Sequence, residues 1–201
     1  MGKDKAVGKA RFRAVKAYHK ETLEKAISKK LADERMVSLS KFVAGTKDFF
    51  TSSSCAGRII IMQLPKGESK REASFHRRWH RPASFEEVKE ALEEKTVGEL
   101  WLKMEPFILH IGCETLENAK RILAVMKRAG VKRGGIIVAK EGKFLVEFQG
   151  TQGMSLPLKE NGKILASDSY IKWAVEKANH KLGKNYEMLE RLESEFRKAL
   201  K

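Results

Sequence analysis

The chain has 201 residues and a mass of 22.8 kDa, enough for one ordinary domain with a sizeable core. Hydrophobic residues make up 42% of it and charged residues 33%, a balance that excludes wholesale disorder. Forty-one Lys and Arg against twenty-six Asp and Glu leave a net charge of +15. Such a charge points to a polyanionic partner, either nucleic acid or an acidic membrane surface.

Several kinds of protein are excluded by local composition. The longest strongly apolar run is residues 59–62, whereas a membrane span needs ~20 residues. The basic amino terminus has no apolar signal segment, so we expect a cytoplasmic protein with no membrane partner. Cys55 and Cys113 are too few for a disulfide framework or a Cys-rich zinc site. His76 and His80 would lie ~13 Å apart on a strand, so we expect no metal.

Two segments carry most of the net charge. Residues 1–30 contribute +7, from ten basic and three acidic side chains, and residues 58–81 contribute +5, from seven and two. In the second segment, arginines are interleaved with aromatic and histidine side chains, which together stack on bases and pair with phosphates. We therefore expect an RNA-binding surface there, the alternative being a merely solvated strand. The lysines of the first segment serve either RNA binding or solubility alone.

The hydrophobic pattern predicts a mixture of helices and short strands. Helices are expected over residues 10–33, 34–45, 84–94, 115–130 and from 167 or 168 to the end, the last as one helix or as two broken near Gly183. Strands are expected over residues 58–63, 72–80, 99–104, 107–113, 135–139, 143–148, 154–158 and 164–166. Special turns are expected at residues 51–57 and 65–67.

These elements predict an α+β fold, a single compact domain over residues 1–201 with a mixed β-sheet flanked by helices. It would include a basic N-terminal helix region, 1–30, and a C-terminal helical region, 168–198. Neither G-x-G-x-x-G nor a Walker sequence occurs, so the fold is not expected to be Rossmann-type.

Residues 52–58 read Ser-Ser-Ser-Cys-Ala-Gly-Arg. Small residues allow the backbone to approach a ligand, and hydroxyl and guanidinium groups bind its polar atoms. An ordinary serine-rich loop is the alternative, and an inert thiol is the better interpretation of Cys55. Lys103 and Glu105 share a strand face, where they either pair with each other or meet a ligand. His110, on an otherwise apolar strand, is either a core histidine or a functional one.

Six blocks of sequence follow one another along the chain. They are residues 49–59 (Phe-Phe-Thr-Ser-Ser-Ser-Cys-Ala-Gly-Arg-Ile), 103–110 (Lys-Met-Glu-Pro-Phe-Ile-Leu-His), 134–136 (Gly-Gly-Ile), 151–158 (Thr-Gln-Gly-Met-Ser-Leu-Pro-Leu), 170–171 (Tyr-Ile) and 178–179 (Ala-Asn). In this order they resemble the tRNA wybutosine-synthesizing protein 3 family, from about residue 35 to about residue 195. Gly134 stands where the family often has Ser, and residues 1–30 lie outside the resemblance.

The resemblance implies a basic α+β enzyme that does not use the Rossmann methyltransferase fold. It would transfer a methyl group from S-adenosylmethionine to N4 of the tricyclic 7-aminocarboxypropyl-demethylwyosine base, which lies beside the anticodon of tRNA-Phe, in wybutosine biosynthesis. We expect a monomer or a weak oligomer. The alternative is a non-catalytic basic RNA-binding module, and a hydrolase built on Cys55 or Ser54 with His110 ranks third.

The resemblance implies that the catalytic and cofactor-binding residues lie in the matched motifs. The catalytic candidates are His110, Ser53 and Arg58. The cofactor-binding candidates are Ser54, Gly57, Glu105, Pro106, Phe107, Gly135 and Ile136. His110 is the preferred base for the proton that leaves the accepting nitrogen, with His80 or Glu105 as alternatives. Arg58 would hold the methionine carboxylate or a phosphate of the nucleotide.

The tRNA is expected to bind to basic and aromatic side chains. The candidates are Trp79, His80, Trp101, Lys103, Arg77, Arg78 and Arg81. Trp79 or Trp101 would stack on the planar modified base.

Overall fold

The computed structural model describes residues 2–65 and 73–200. Its contacts divide the chain into two compact units. Unit 1 comprises Met1–Ala56, Phe107–Thr151 and Glu187–Lys201. Unit 2 comprises Gly57–Pro106 and Gln152–Tyr186. No helix within the described residues is long and apolar enough to cross a membrane.

The described residues form helices and strands in irregular alternation. The helices are α1 (Gly2–Ser28), α2 (Glu34–Gly45), α3 (Phe85–Glu93), α4 (Leu116–Arg128) and α5 (Asp168–Ala199). The strands are β1 (Phe49–Cys55), β2 (Arg58–Leu64), β3 (Ser74–Trp79), β4 (Glu99–Glu105), β5 (Ile108–Cys113), β6 (Arg133–Lys140), β7 (Lys143–Gln149), β8 (Met154–Glu160) and β9 (Lys163–Ile164).

Unit 1 is built on an antiparallel sheet with the strand order β1-β5-β7-β6. Along β7, buried and partly exposed residues alternate, as expected for a strand with one face on the core. The core face carries Leu109, Ile111, Val146 and Phe148. Helix α4 packs against β5 and β7, and Phe196 of α5 meets the Phe148 ring edge-on at 5.7 Å. The polar side chains of β5 and β7 therefore lie on the other face of the sheet.

Phe50 of β1 anchors α1 to unit 1. Its ring lies 5.8 Å from the ring of Phe12 and stacks on His19 at 4.9 Å between centroids, with the planes 8° apart. It also lies over Gly112 of β5, where a side chain of any size would overlap the ring. A glycine on the neighbouring strand is therefore required by aromatic packing.

Unit 2 is built on a second antiparallel sheet, in the order β3-β2-β4-β8-β9. Helix α3 begins with a capping box between Ser84 and Glu87. It ends at the ammonium of buried Lys159, which donates to the carbonyl oxygens of Leu92 at 2.7 Å and Glu94 at 2.5 Å. Both ends of the helix thus have partners for backbone groups that a helix leaves unsatisfied.

Asn179 of α5 holds the chain just before α3. Its side-chain oxygen accepts from the amide of Ala83 at 3.0 Å, and its side-chain nitrogen donates to the Ala83 carbonyl at 2.8 Å. The hydroxyl of Tyr186 donates to the carbonyl of His80 at 3.4 Å. Two side chains of α5 therefore fix the segment that follows β3.

The predicted α+β class and the absence of a Rossmann-type sheet are confirmed. The expected single mixed sheet differs from what is observed, since every strand pair in the described residues is antiparallel and the strands form two sheets. Hairpins at residues 141–142 and 161–162 join neighbouring strands, whereas parallel pairing needs a crossover of a dozen or more residues. The C-terminal helix is continuous through Gly183.

The turn expected at residues 51–57 is wrong for most of its length. Thr51–Cys55 continue β1, which is paired with β5, and an irregularity in the pairing between Thr51 and Ser54 accommodates the serine run. The chain turns only at Ala56 and Gly57, where Gly57 has φ +101°. Of the turn expected at residues 65–67, residues 66 and 67 lie outside the described part of the chain.

Gly134 is predicted to be far less replaceable than its neighbour Gly135. Its φ is +143°, and a Cβ there would overlap the carbonyl oxygen of Glu147, whereas a Cβ on Gly135 would meet nothing within 4 Å. We expect Gly134→Ala to lower the free energy of unfolding by about 1–3 kcal/mol. Gly135→Ala, the matched control, should change it far less. Urea denaturation measures both, and equal losses would contradict this assignment.

Candidate functional site

A cavity of about 260 Å³ lies in unit 1 between α1, α2 and β1. The lining residues that carry hydroxyl groups are Thr22, Ser40, Thr51, Ser52, Ser53 and Ser54. The apolar lining residues include Leu23, Ala26, Leu31, Met36 and Val37. A mixture of apolar residues and a few polar groups around one cavity is typical of small-molecule sites.

Ser40 of α2 is the unusual member of this lining. Its side chain is 1% exposed, and its Oγ has no hydrogen-bond partner within the described structure. A buried hydroxyl left unpaired costs about 1–3 kcal/mol, so native proteins normally supply a partner. Thr51 of β1, which also lines the cavity, is buried as well. A ligand that reached the hydroxyl of Ser40 from the cavity would supply the missing partner.

Asp33 joins two walls of the cavity. It is the N-cap of α2, where its Oδ1 accepts from the amide of Arg35 at 3.3 Å. Its Oδ2 accepts from the amide of Ala56, at the end of β1, at 2.7 Å. One carboxylate thus holds the start of α2 against the end of the serine strand and adds negative charge to the cavity lining.

His19 of α1 also lines the cavity. Burial, together with the positive charge of Lys143, lowers the pKa of its imidazole below the usual value. The ring is therefore neutral near pH 7 and presents one donor and one acceptor.

His110 pairs with a carboxylate that the sequence analysis did not select. Across the sheet of unit 1, His110 of β5 faces Glu147 of β7, which in turn faces Gly135 of β6. The Nε2 of His110 lies 2.9 Å from Oε2 of Glu147, and the two side chains are 18% and 30% exposed. The alternation along residues 143–149 marks Glu147 as lying off the core face, but only the β5–β7 pairing identifies its partner.

Unit 2 carries cations and aromatic rings on one face of its sheet. This basic–aromatic face consists of Arg58, Phe75, Arg78, Trp101 and Lys103, whose strand register places them on the same side. The guanidinium carbons of Arg58 and Arg78 lie 4.6 Å and 5.6 Å from the centre of the Phe75 ring, and Nζ of Lys103 lies 5.9 Å from that of Trp101. Phe75 is the member that the predicted site lacked.

Glu105 and Arg58 were expected to act separately on a ligand. They face each other across β2 and β4, and Nε of Arg58 donates to Oε2 of Glu105 at 2.7 Å. The ion pair neutralises part of the charge of Arg58 and fixes the orientation of its guanidinium plane.

Two further arginines expected to bind tRNA, Arg77 and Arg81, have carboxylate partners. Arg77 pairs with Glu94, which also lies 3.3 Å from Nε2 of His76. Arg81 makes two bonds to Glu87, at 2.6 Å and 3.0 Å. The Arg81 guanidinium and the amide of Ser84 hold the pKa of Glu87 at about 2.

The two remaining tRNA candidates lie apart from the basic–aromatic face. Trp79 falls on the opposite side of the sheet by its register with Ile59. His80 follows β3, and its carbonyl, as described above, meets Tyr186.

The remaining expected cofactor residues are mostly backbone or core positions. Gly57 forms the turn before β2, Pro106 separates β4 from β5, and Ile136 is half-buried on β6. Phe107 has a fully buried ring, and its carbonyl accepts from the amide of Gly150 at 2.9 Å. Phe107 is therefore a core residue of unit 1 that offers no exposed surface to a ligand.

The cysteines of the described chain form no disulfide. Burial raises the pKa of Cys113 to about 12, so this thiol stays protonated at neutral pH and is a poor nucleophile.

The predicted site residues are divided between the units. Unit 1 contains Ser53, Ser54, Phe107, His110, Gly135 and Ile136. Unit 2 contains Gly57, Arg58, Arg77, Arg78, Trp79, His80, Arg81, Trp101, Lys103, Glu105 and Pro106. The hydroxyls and the histidine–glutamate pair thus belong to one unit, and the basic–aromatic face belongs to the other.

Comparison with solved structures gives near full-length matches. A protein from Pyrococcus horikoshii matches with a TM-score of 0.88 and 34% identity, over 95% of this chain and 96% of that one. A protein from Aeropyrum pernix matches with a TM-score of 0.72 and 28% identity, over 82% of this chain and 97% of the other.

Curated relatives match over similar lengths. A protein of Pyrococcus furiosus named tRNA(Phe) 7-((3-amino-3-carboxypropyl)-4-demethylwyosine(37)-N(4))-methyltransferase 1 is 37% identical over 86% of this chain and 88% of its own length. A mouse protein named tRNA wybutosine-synthesizing protein 3 homolog is 34% identical, over 84% of this chain and 66% of its own length. Residues 10–198 match the family described as Methyltransferase TYW3. The chain therefore belongs to the methyltransferase TYW3 family.

Proposed function

We propose that this protein methylates N4 of the 7-aminocarboxypropyl-demethylwyosine base of tRNA-Phe, with S-adenosylmethionine as the methyl donor, in the cytoplasm. The observation that carries the proposal is the family match over residues 10–198, together with the reaction named for its relatives. Membership of a methyltransferase family implies a methyl donor. Such an enzyme must bind the donor, accept a proton and hold the RNA.

The cavity of unit 1 fits a small polar ligand such as the donor. Its unpaired Ser40 hydroxyl and the hydroxyls of Thr51, Ser53 and Ser54 would hydrogen-bond the hydroxyl and amino groups of the ligand, and its apolar wall would contact the adenine ring. When bound, S-adenosylmethionine supplies an electrophilic methyl group on a positively charged sulfur. The carboxylate of Asp33 in the lining favours a cationic ligand over an anionic one.

His110 is proposed as the base that takes the proton from the methylated nitrogen. An ionised carboxylate only accepts hydrogen bonds, so its pairing with Glu147 keeps the proton on Nε2 of the neutral imidazole. The lone pair is then on Nδ1, which is the atom able to accept a proton. Glu147 acts as a positioning residue, because it selects the tautomer and stabilises the imidazolium that forms.

The basic–aromatic face of unit 2 is proposed as a contact surface for the tRNA. Trp101 and Phe75 offer rings for stacking, and Arg78 and Lys103 offer charge to phosphates. Arg58 belongs to the same face, but its charge is partly neutralised by Glu105. Arg77 and Arg81 are already paired with carboxylates, so we assign Arg78 a larger share of the salt-dependent binding than either of them.

The proposed reaction is tested by mass spectrometry of tRNA-Phe that carries the demethylated base. Incubation with the protein and S-adenosylmethionine should add one methyl group to that base, and omission of the donor should add none. A non-catalytic RNA-binding module would bind the same tRNA and leave its mass unchanged. No gain on a verified substrate would therefore refute the enzyme assignment.

The same assay tests the proton acceptor. We expect His110→Ala to lower the single-turnover rate by roughly 10²–10⁴, the usual contribution of a general base, and Glu147→Gln to lower it less. Leu145→Ala, a change on the same strand, serves as a control for the integrity of the sheet. An unchanged rate in a folded His110→Ala protein would remove His110 from the mechanism.

The RNA surface is tested by the salt dependence of tRNA binding. Each phosphate contact contributes roughly 0.7–0.9 to the slope of log K against log salt concentration. We expect Arg78→Gln to weaken binding and flatten the slope by about that amount. Arg191→Gln removes the same charge from an exposed position of unit 1 and should leave the slope nearly unchanged. Equal effects of both changes would mean that the slope depends on the net charge of the protein and not on the position of Arg78.

A further inference from the structure

Helix α5 exposes two large aromatic side chains in unit 2. Tyr170 is 42% exposed and Trp173 is 49% exposed, although residues of this kind are normally covered in a folded domain. Their ring centres lie 5.7 Å apart, and their planes are inclined by 36°.

The exposure is not a consequence of a poorly packed helix. Ile171, Ala174, Val175 and Ala178, on the other side of α5, are 0–3% exposed. Tyr170 and Trp173 are three residues apart, which places them side by side on the solvent face of a helix. The two rings are therefore held outward by a helix whose opposite side is fully packed.

A positive charge lies beside the indole ring. Nζ of Lys177, one turn after Trp173, lies 5.7 Å from the centre of that ring. Lys172 is also exposed near the rings, and the exposed carboxylates near them are Glu176 and Asp168, the second of which pairs with Lys89. Lys177 therefore offers an ammonium group directly beside an exposed aromatic plane.

We propose that Tyr170, Trp173 and Lys177 form a second RNA-binding surface, on which unpaired bases of the tRNA stack. The inference rests on the proposed function only in taking tRNA as the partner. Aromatic planes held beside lysines match the two parts of a nucleotide, since the ring meets the base and the ammonium meets the phosphate.

The composition of this helix face favours RNA over a protein partner. Protein interfaces are enriched in aromatic residues, but they are depleted of lysine and their centres are apolar. Besides the two rings, no exposed residue within 168–186 is a large hydrophobic one. A face of this kind gives a protein little to bury, whereas its charge complements a phosphate backbone.

The experiment measures binding of two probes, full-length tRNA-Phe and single-stranded oligoadenylate, to the complete chain. Stacking of one base is worth about 1–3 kcal/mol, so Trp173→Ala should raise the Kd for both probes roughly 5- to 150-fold. Trp173→Phe keeps a ring, and its Kd values should stay close to those of the wild type. Trp173→Leu keeps apolar area without a ring, and its Kd values should resemble those of Trp173→Ala.

Two controls separate stacking from general effects. Leu165→Ala removes another exposed hydrophobic side chain of unit 2 and should leave both Kd values unchanged. Circular dichroism and thermal unfolding show that each variant is folded.

The results either support the RNA-binding surface or overturn it. Unchanged Kd values in folded Trp173→Ala would overturn the inference, as would full affinity in Trp173→Leu. A wild-type dimer that Trp173→Ala converts to monomer, with unaltered RNA binding, would overturn it in favour of a second copy of the chain. Loss of RNA affinity in Trp173→Ala together with no methyl transfer by the wild type would support this surface while refuting the proposed reaction.

Discussion

The carboxylate of Asp33 fixes the end of β1 against the start of α2, two of the elements that line the cavity of unit 1. Backbone amides at a strand end and in the first turn of a helix need acceptors, and Asp33 supplies both, to Ala56 at 2.7 Å and to Arg35 at 3.3 Å. With these two elements held together, Ser40 of α2 and Thr51 of β1 line the same cavity. The serine run thereby becomes one wall of a pocket.

The two units offer opposite chemical environments. Unit 1 has hydroxyls, one carboxylate and a histidine of lowered pKa around its cavity, a setting that suits a small, polar, positively charged ligand. Unit 2 has guanidinium and ammonium groups over aromatic rings, a setting that suits a polyanion with planar bases. A methyltransferase acting on tRNA has partners of both kinds, so the proposed function accounts for both environments.

The elements with strong local signals could be predicted from the sequence, because capping and turn chemistry act over a few residues. Asp33 caps α2, Ser84 and Glu87 form the capping box of α3, and Thr115 caps α4, so these three helices begin where the sequence predicted them. The serine run was harder, since serine has little strand propensity of its own. It is a strand because of its pairing with β5, which no local pattern reveals.

The candidate site was predictable in its residue types and not in their pairings. Glu147 becomes a partner of His110 only through the β5–β7 register. The irregularity in the β2–β3 pairing between Ile61 and Met62 places Phe75 on the same face as Arg78. Arg77 forms an ion pair with Glu94. The exposure of Trp173 depends on which side of α5 is packed, and helical spacing alone does not decide this.

The central claim is that the hydroxyl-lined cavity of unit 1 holds the methyl donor. The most direct measurement is a crystal structure of the protein with S-adenosylhomocysteine, the demethylated form of the donor. Density for this ligand between α1, α2 and β1, with a hydrogen bond to the buried hydroxyl of Ser40, is the predicted result. Density elsewhere in the molecule, with this cavity empty, would contradict the account.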